Sequence, residues 1–125
     1  MTGLTYDTGA LIAGERADRR MWALHRRALE RSVVPVVPAA VLVEAWRGEV
    51  QLARLVQGCS VESLDEDSAR SSGLLLGACR VPVEMTDATV VEGALRRGDA
   101  VVTSNRTHLS ALAAGAKRRL SLIDL

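Results

Sequence analysis

The stretch AVVTSNRTHL, residues 100–109, begins as an apolar, β-branched run and breaks at Thr103 into Ser104, Asn105, Arg106, Thr107 and His108. A run this short and this apolar reads as a buried strand, and the polar residues behind it mark the strand's end and the start of a helix. Four further β-rich runs occur at Leu4 to Tyr6, Val33 to Val37, Ser60 to Ser63 and Leu120 to Ile123. Helical spacing fills the intervals between them. Such alternation predicts an α/β fold built on a mainly parallel sheet, in which ligands bind beyond the carboxyl ends of the strands.

The helices carry their own punctuation. Asp18 to Arg31 sets Met21, Trp22, Leu24, Ala28 and Leu29 on one side and most of its arginines on the other, an amphipathic surface helix. Pro38 fits the first turn of a helix running to Gly48, and EVQLARLVQ stops at Gly58. Asp65, Glu66 and Asp67 favour a helix start before SARSSGLLLGACR. TDATVVEGALRR stops at Gly98, and RTHLSALAAGA stops near Gly115.

A chain of 125 residues has room for one domain, 1–125, and no low-complexity tract or linker divides it. Phe is absent and aromatic residues are rare, so the core is expected from Leu, Val and Ala. With 16 basic and 15 acidic residues, bulk charge does not hold this protein to nucleic acid, and any such site must be local. No signal peptide or membrane span is evident, which reads as cytoplasmic. Cys59 and Cys79 are too few and too far apart for a thiolate cluster and are expected as buried free thiols.

The informative residues are carboxylates at strand ends. Asp7 directly follows the first strand; an N-cap role would also account for it. Glu44 lies in PAAVLVEAWRG, a helix apolar on nearly every side and expected to be buried, where a carboxylate needs a cation, a metal or donors; a pair with Arg47 is the alternative. Asp87 sits where an extended segment yields to a helix, with Thr86 or Asp87 as N-cap and Thr89 and Glu92 at capping-box spacing. Glu84 and Glu92 read as solvated. No serine stands in a glycine-flanked elbow and no glycine-rich phosphate loop occurs, so neither a serine hydrolase nor a nucleotide-binding site is supported. Acids at strand ends suit hard cations such as Mg²⁺ or Mn²⁺.

Taken together, YDTGALIA (6–13), VPAAVLVEAWRG (37–48), TDATVVEGA (86–94) and AVVTSN (100–105) resemble the PIN-domain family in order and spacing and, within it, the VapC-type ribonuclease toxins. The resemblance implies a three-layer α/β/α sandwich whose mainly parallel sheet gathers Asp7, Glu44 and Asp87 at one edge. It implies catalysis and metal binding by these three acids, with Thr8 and Thr103 as supporting polar groups. The implied chemistry is Mg²⁺- or Mn²⁺-dependent hydrolysis of RNA by one or two ions, leaving 5′-phosphate and 3′-hydroxyl ends. The implied partners are an RNA substrate, a VapB-like antitoxin and a second copy in a homodimer, with no membrane. Arg16, Arg19 and Arg20 follow the first motif, either to receive RNA phosphates or simply as a solvated face.

One feature departs from the family pattern. The two places after the fourth strand where relatives carry a further acid hold Asn105 and His108. Asn105 offers a neutral carbonyl oxygen to a metal or its water, and His108 reads as a polar helix-start residue. A missing unit charge beside a cation is worth about 4 kcal/mol at about 4 Å and an effective dielectric near 20. The expectation is one adequate site made by Asp7 and Asp87, and a second that is weak until RNA phosphate adds charge. A PIN-like module that binds RNA or protein without cleaving it is the alternative function.

Overall fold

The computed structural model describes residues 2–125. Five strands, β1 (Leu4–Tyr6), β2 (Val36–Pro38), β3 (Ser60–Glu62), β4 (Ala100–Thr103) and β5 (Ser121–Asp124), pair in parallel throughout, in the order β3-β2-β1-β4-β5. Helices α1 (Thr8–Glu15), α2 (Arg19–Glu30), α3 (Ala39–Ala45) and α4 (Val50–Gln57) connect β1 through β3. Helices α5 (Glu66–Ala78), α6 (Met85–Arg97) and α7 (Arg106–Gly115) connect β3 through β5. In the first group α2, α3 and α4 pack on α1, and in the second all three helices pack on one another. Right-handed crossovers put the two groups on opposite faces, which gives the α/β/α sandwich. The order reverses at β1, so the central carboxyl edge lies where the chain leaves β1 and β4.

The core is aliphatic as expected: Leu11, Val37, Leu52, Leu55, Val90, Val101, Leu109 and Leu112 are fully buried, joined by Met21 and Tyr6. Local chemistry explains most boundaries. The Asp18 carboxylate accepts from the Met21 N–H at 2.9 Å, and Asp65 forms a capping box with Ser68. Gly98 ends α6 in the left-handed conformation, φ 73°. Gly14 lets α1 and α4 close: a Cβ there would stand 2.6 Å from Leu55 Cδ2.

Several boundaries differ from the sequence reading. β2 begins at Val36 rather than Val33, because the end of α2 wraps through Ser32 at φ 61° and the Val33 N–H donates to the Ala28 carbonyl at 2.8 Å. Pro38 closes that strand and precedes α3, which ends at Ala45 because Trp46 is extended. Helix α6 starts at Met85 with Glu84 as N-cap, so Thr86 and Asp87 lie inside its first turn. Thr89 donates to the Thr86 carbonyl and Glu92 pairs with Arg96 at 3.0 Å; they form no capping box, and Glu92 is buried rather than solvated. Cys59 and Cys79 are free but only half-buried. Among the described residues no helix is long and apolar enough to cross a membrane.

Candidate active site at the carboxyl edge of the sheet

Asp7 is a helix cap placed at the carboxyl end of β1. It leaves β1 in an extended conformation, and its carboxylate accepts from the Ala10 N–H at 2.9 Å, which starts α1. Only 4% of the residue is exposed. Thr103, buried at the end of neighbouring β4, lies close enough to favour the charged form of this carboxylate, and its hydroxyl accepts the Asn105 N–H at 2.8 Å. Capping and presentation at the sheet edge are therefore two uses of one geometry. Gly9 keeps the following turn close, since a Cβ at this position would collide with the Ser104 hydroxyl.

Asp87 reaches the same edge from α6 and is half-buried. Each aspartate raises the cost of the other's charge. Burial holds the Asp7 carboxyl above the usual carboxylate range; bonds from Thr103 and Ala10 oppose this, and the Asp87 charge adds to it. Burial likewise raises Asp87, where the nearby His108 lowers it and the charge of Glu44 raises it again. Two carboxylates drawn out of water at one edge of the sheet form a place where a cation is favoured.

Glu44 belongs to this edge but not in the way expected. It is exposed rather than buried, because α3 turns only Val41 and Ala45 fully inward and leaves Val43 76% exposed. Its partner is Thr8, whose hydroxyl donates to Oε1 at 2.8 Å. Arg47 donates instead to the Val43 and Trp46 carbonyls. The apolar composition that predicted burial forms a surface patch of Leu42, Val43 and Trp46 with Val56 of α4.

The segment after β4 brings in more than the sequence reading assigned. Asn105 is exposed, and its side-chain nitrogen lies 3.0 Å from His108 Nδ1, one helical turn on. His108 Nδ1 lies in turn 3.6 Å from Asp87 Oδ2. The histidine, read from sequence as a helix-start residue, thus stands nearer the acids than its role there required, and Asn105 reaches them through it. Arg106 was not singled out, yet it forms an ion pair with Asp124 at 2.8 Å beside the site. The i,i+3 spacing of Asn105 and His108 was the legible signal for the first contact; the second joins residues 18 apart and had none. Arg16, Arg19 and Arg20 are all exposed, and Arg20 reaches the Asp124 carbonyl oxygen at 3.2 Å.

Among the described residues no three His, Cys, Asp or Glu side chains converge closely enough to enclose a metal ion. What the edge offers is a pair of hard oxygen donors, one buried and one half-buried. That donor set fits Mg²⁺ or Mn²⁺, since Mg²⁺ is typically held by one or two carboxylates, water and substrate phosphate rather than by an all-protein cage.

A parallel five-stranded sheet in this order, covered by helices on both faces, is a PIN-like α/β/α fold. The fold is shared with chains of solved toxin–antitoxin complexes. In VapBC2 from Rickettsia felis, bound to a DNA fragment from its promoter, the match has a TM-score of 0.73 at 12% identity and covers 98% of both chains. In DNA-bound VapBC from Salmonella typhimurium it has a TM-score of 0.65 at 18% identity, over 99% of this chain and 98% of that one. In a toxin–antitoxin complex from Klebsiella pneumoniae it has a TM-score of 0.66 at 17% identity, over 87% and 91%. No family model and no curated protein matches the sequence.

Proposed function

We propose that this chain is a VapC-like toxin: a Mg²⁺- or Mn²⁺-dependent endoribonuclease that hydrolyses RNA phosphodiester bonds. The observation that carries the reading is that Asp7 and Asp87, two partly desolvated carboxylates, come near enough at the carboxyl edge of the sheet for the Asp87 charge to oppose ionisation of Asp7. Natural sequences keep such strain where a ligand relieves it. Asp7 and Asp87 would hold the ion directly, with Glu44 reaching it through water. When bound, the cation supplies the positive charge that lets an anionic diester approach and makes a water acidic enough to attack phosphorus. The chain's own residues do the positioning. Thr103 and the Ala10 N–H fix the Asp7 carboxylate, and Thr8 fixes that of Glu44. Asn105 and His108 stand together on the α7 side, with the His108 ring 3.6 Å from Asp87 Oδ2.

A toxin of this kind requires restraint by a VapB-like antitoxin. The apolar face of α3 beside Glu44 supports such a partner, because it offers Leu42, Val43 and Trp46 to an apolar segment that approaches the acids. A homodimer is part of the same reading. The competing reading, a PIN-like module that binds RNA or protein without cleaving it, draws on the Asn105–His108 contact, which stands where relatives carry acids. Cleavage of structured RNA with and without Mg²⁺ separates them. Wild type should cleave, and Asp7→Asn should lose at least about a hundredfold in rate, the scale of removing one group that stabilises the transition state. Equal, undetectable cleavage by both across a broad RNA panel would favour the binding module.

A further inference from the structure

One strand beyond the acids, a second charged group lies open to solvent. Arg106, in the first turn of α7, makes a forked contact with Asp124 at the end of β5: Nε donates to Oδ1 at 3.0 Å and Nη2 to Oδ2 at 2.8 Å. Asp124 is the register partner of Thr103, which stands beside Asp7 at the end of β4. The pair therefore stands about 5 Å, one strand spacing, from the strand that supports the site. Arg20 of α2 brings its Nη2 to the Asp124 main-chain oxygen. The Arg106 bond, reinforced by the charges of Arg106 and Arg20, holds the Asp124 carboxyl below its usual range. Two guanidinium groups thus meet at Asp124, Arg106 on its side-chain carboxylate and Arg20 on its main-chain oxygen.

This arrangement is poorly explained as a stabilising contact. The side chains of Arg106 and Asp124 are 54% and 57% exposed, and exposed ion pairs contribute little to stability. The end of β5 is held by its main chain, including the Leu125 N–H donating to the Thr103 carbonyl at 3.0 Å. A guanidinium fork fits a phosphate diester as well as a carboxylate, and a weak exposed pair exchanges readily for one. We propose that Arg106 and Arg20 form the seat for an RNA backbone phosphate next to the scissile one, and that Asp124 occupies this seat in the free chain as an internal competitor. The inference rests on the nuclease reading and gives the substrate a direction. The strand leaves the acids across β4 and β5 toward α2, away from the apolar face of α3.

The test is equilibrium binding of a fluorescein-labelled, single-stranded RNA of mixed sequence, followed by anisotropy over a salt series in EDTA so that no metal-dependent cleavage consumes it. Asp124→Asn should tighten binding by up to about fivefold, the worth of an exposed ion pair. Arg106→Ala should weaken it several-fold and lower the logarithmic salt slope by about 0.7. In the Arg106→Ala background Asp124→Asn should gain nothing, because the competitor then has nothing to release. Unchanged binding by Asp124→Asn overturns the proposal, as does a gain that persists without Arg106, which would be a general charge effect. So does a wild type that binds an acidic peptide and no RNA. Should Asp124→Asn leave binding unchanged while wild type still cleaves RNA with Mg²⁺, the seat is refuted and the nuclease reading stands. Should the binding cycle behave as described with no cleavage, the seat stands and the nuclease reading fails.

Discussion

Replacing Asp7 by Asn should make the free protein more stable while abolishing its proposed activity. A carboxylate that is 4% exposed forgoes solvation worth several kcal/mol. It recovers the hydrogen bond from the Ala10 N–H, which at a charged acceptor contributes about 1.5–3 kcal/mol, and some further help from the nearby Thr103. The carboxyl is nonetheless held above its usual range, so burial outweighs the bonds, and the Asp87 charge deepens the deficit. Asparagine removes the charge, keeps an oxygen for the Ala10 N–H and caps helices as well as aspartate does. The expected gain is about 1–2 kcal/mol at neutral pH, or about 3–8 °C in Tm. Its pH dependence has a definite sign. Asp7 keeps its proton to higher pH in the folded chain than in the unfolded one, so stability falls as pH rises through that window. The wild-type deficit is absent below the ordinary carboxylate value of about 4 and complete above the folded one. Thermal melts by circular dichroism in EDTA should therefore show an advantage for Asp7→Asn that is largest at neutral pH and closes in acid. Adding Mn²⁺ should raise the Tm of wild type and leave the variant unchanged. A variant less stable than wild type at neutral pH, or an advantage that persists undiminished to about pH 3, would refute the reasoning.

Two further outcomes follow from the core. Gly14→Ala improves helix propensity by about 1 kcal/mol yet sets a methyl 2.6 Å from the fully buried Leu55, so urea denaturation should show a net loss of about 1–2 kcal/mol. Leu55→Ala should cost about 2–5 kcal/mol, and Gly14→Ala should become stabilising in that background because its methyl enters the space vacated. His25 is buried against Trp22, with Nδ1 2.9 Å from the Tyr6 hydroxyl, and burial lowers its pKa. Its contribution is present above the ordinary histidine value of about 6.5 and is lost as pH falls through the folded value. The stability difference between wild type and His25→Gln should shift against wild type over that interval; a difference independent of pH would contradict the placement.

The residues of the candidate site were legible to different depths. Asp7 and Asp87 follow strand or helix boundaries marked by nearby sequence, so their presence at a sheet edge was readable once the alternation of elements was seen. Glu44 was expected to be buried, an inference from the composition of α3, and is exposed. Composition reports how apolar a helix is, not which of its faces meets a neighbour, and here the chain leaves Val43 and Trp46 outside. His108 and Arg106 were undervalued for a related reason. Their roles depend on Asp87 and Asp124, which lie on other elements.

What the sequence by itself determined was local: an aliphatic core, the α/β alternation, and helix ends set by caps and stops such as Asp18, Asp65, Gly58 and Gly98, all decided within one turn of chain. The strand order, the exposure of Glu44, the contact of His108 with Asp87 and the Arg106–Asp124–Arg20 cluster were decided only by the tertiary structure. Each of these joins elements separated along the chain. Their geometry follows from how the helical layers pack on the sheet, and no local pattern of residue types encodes that packing.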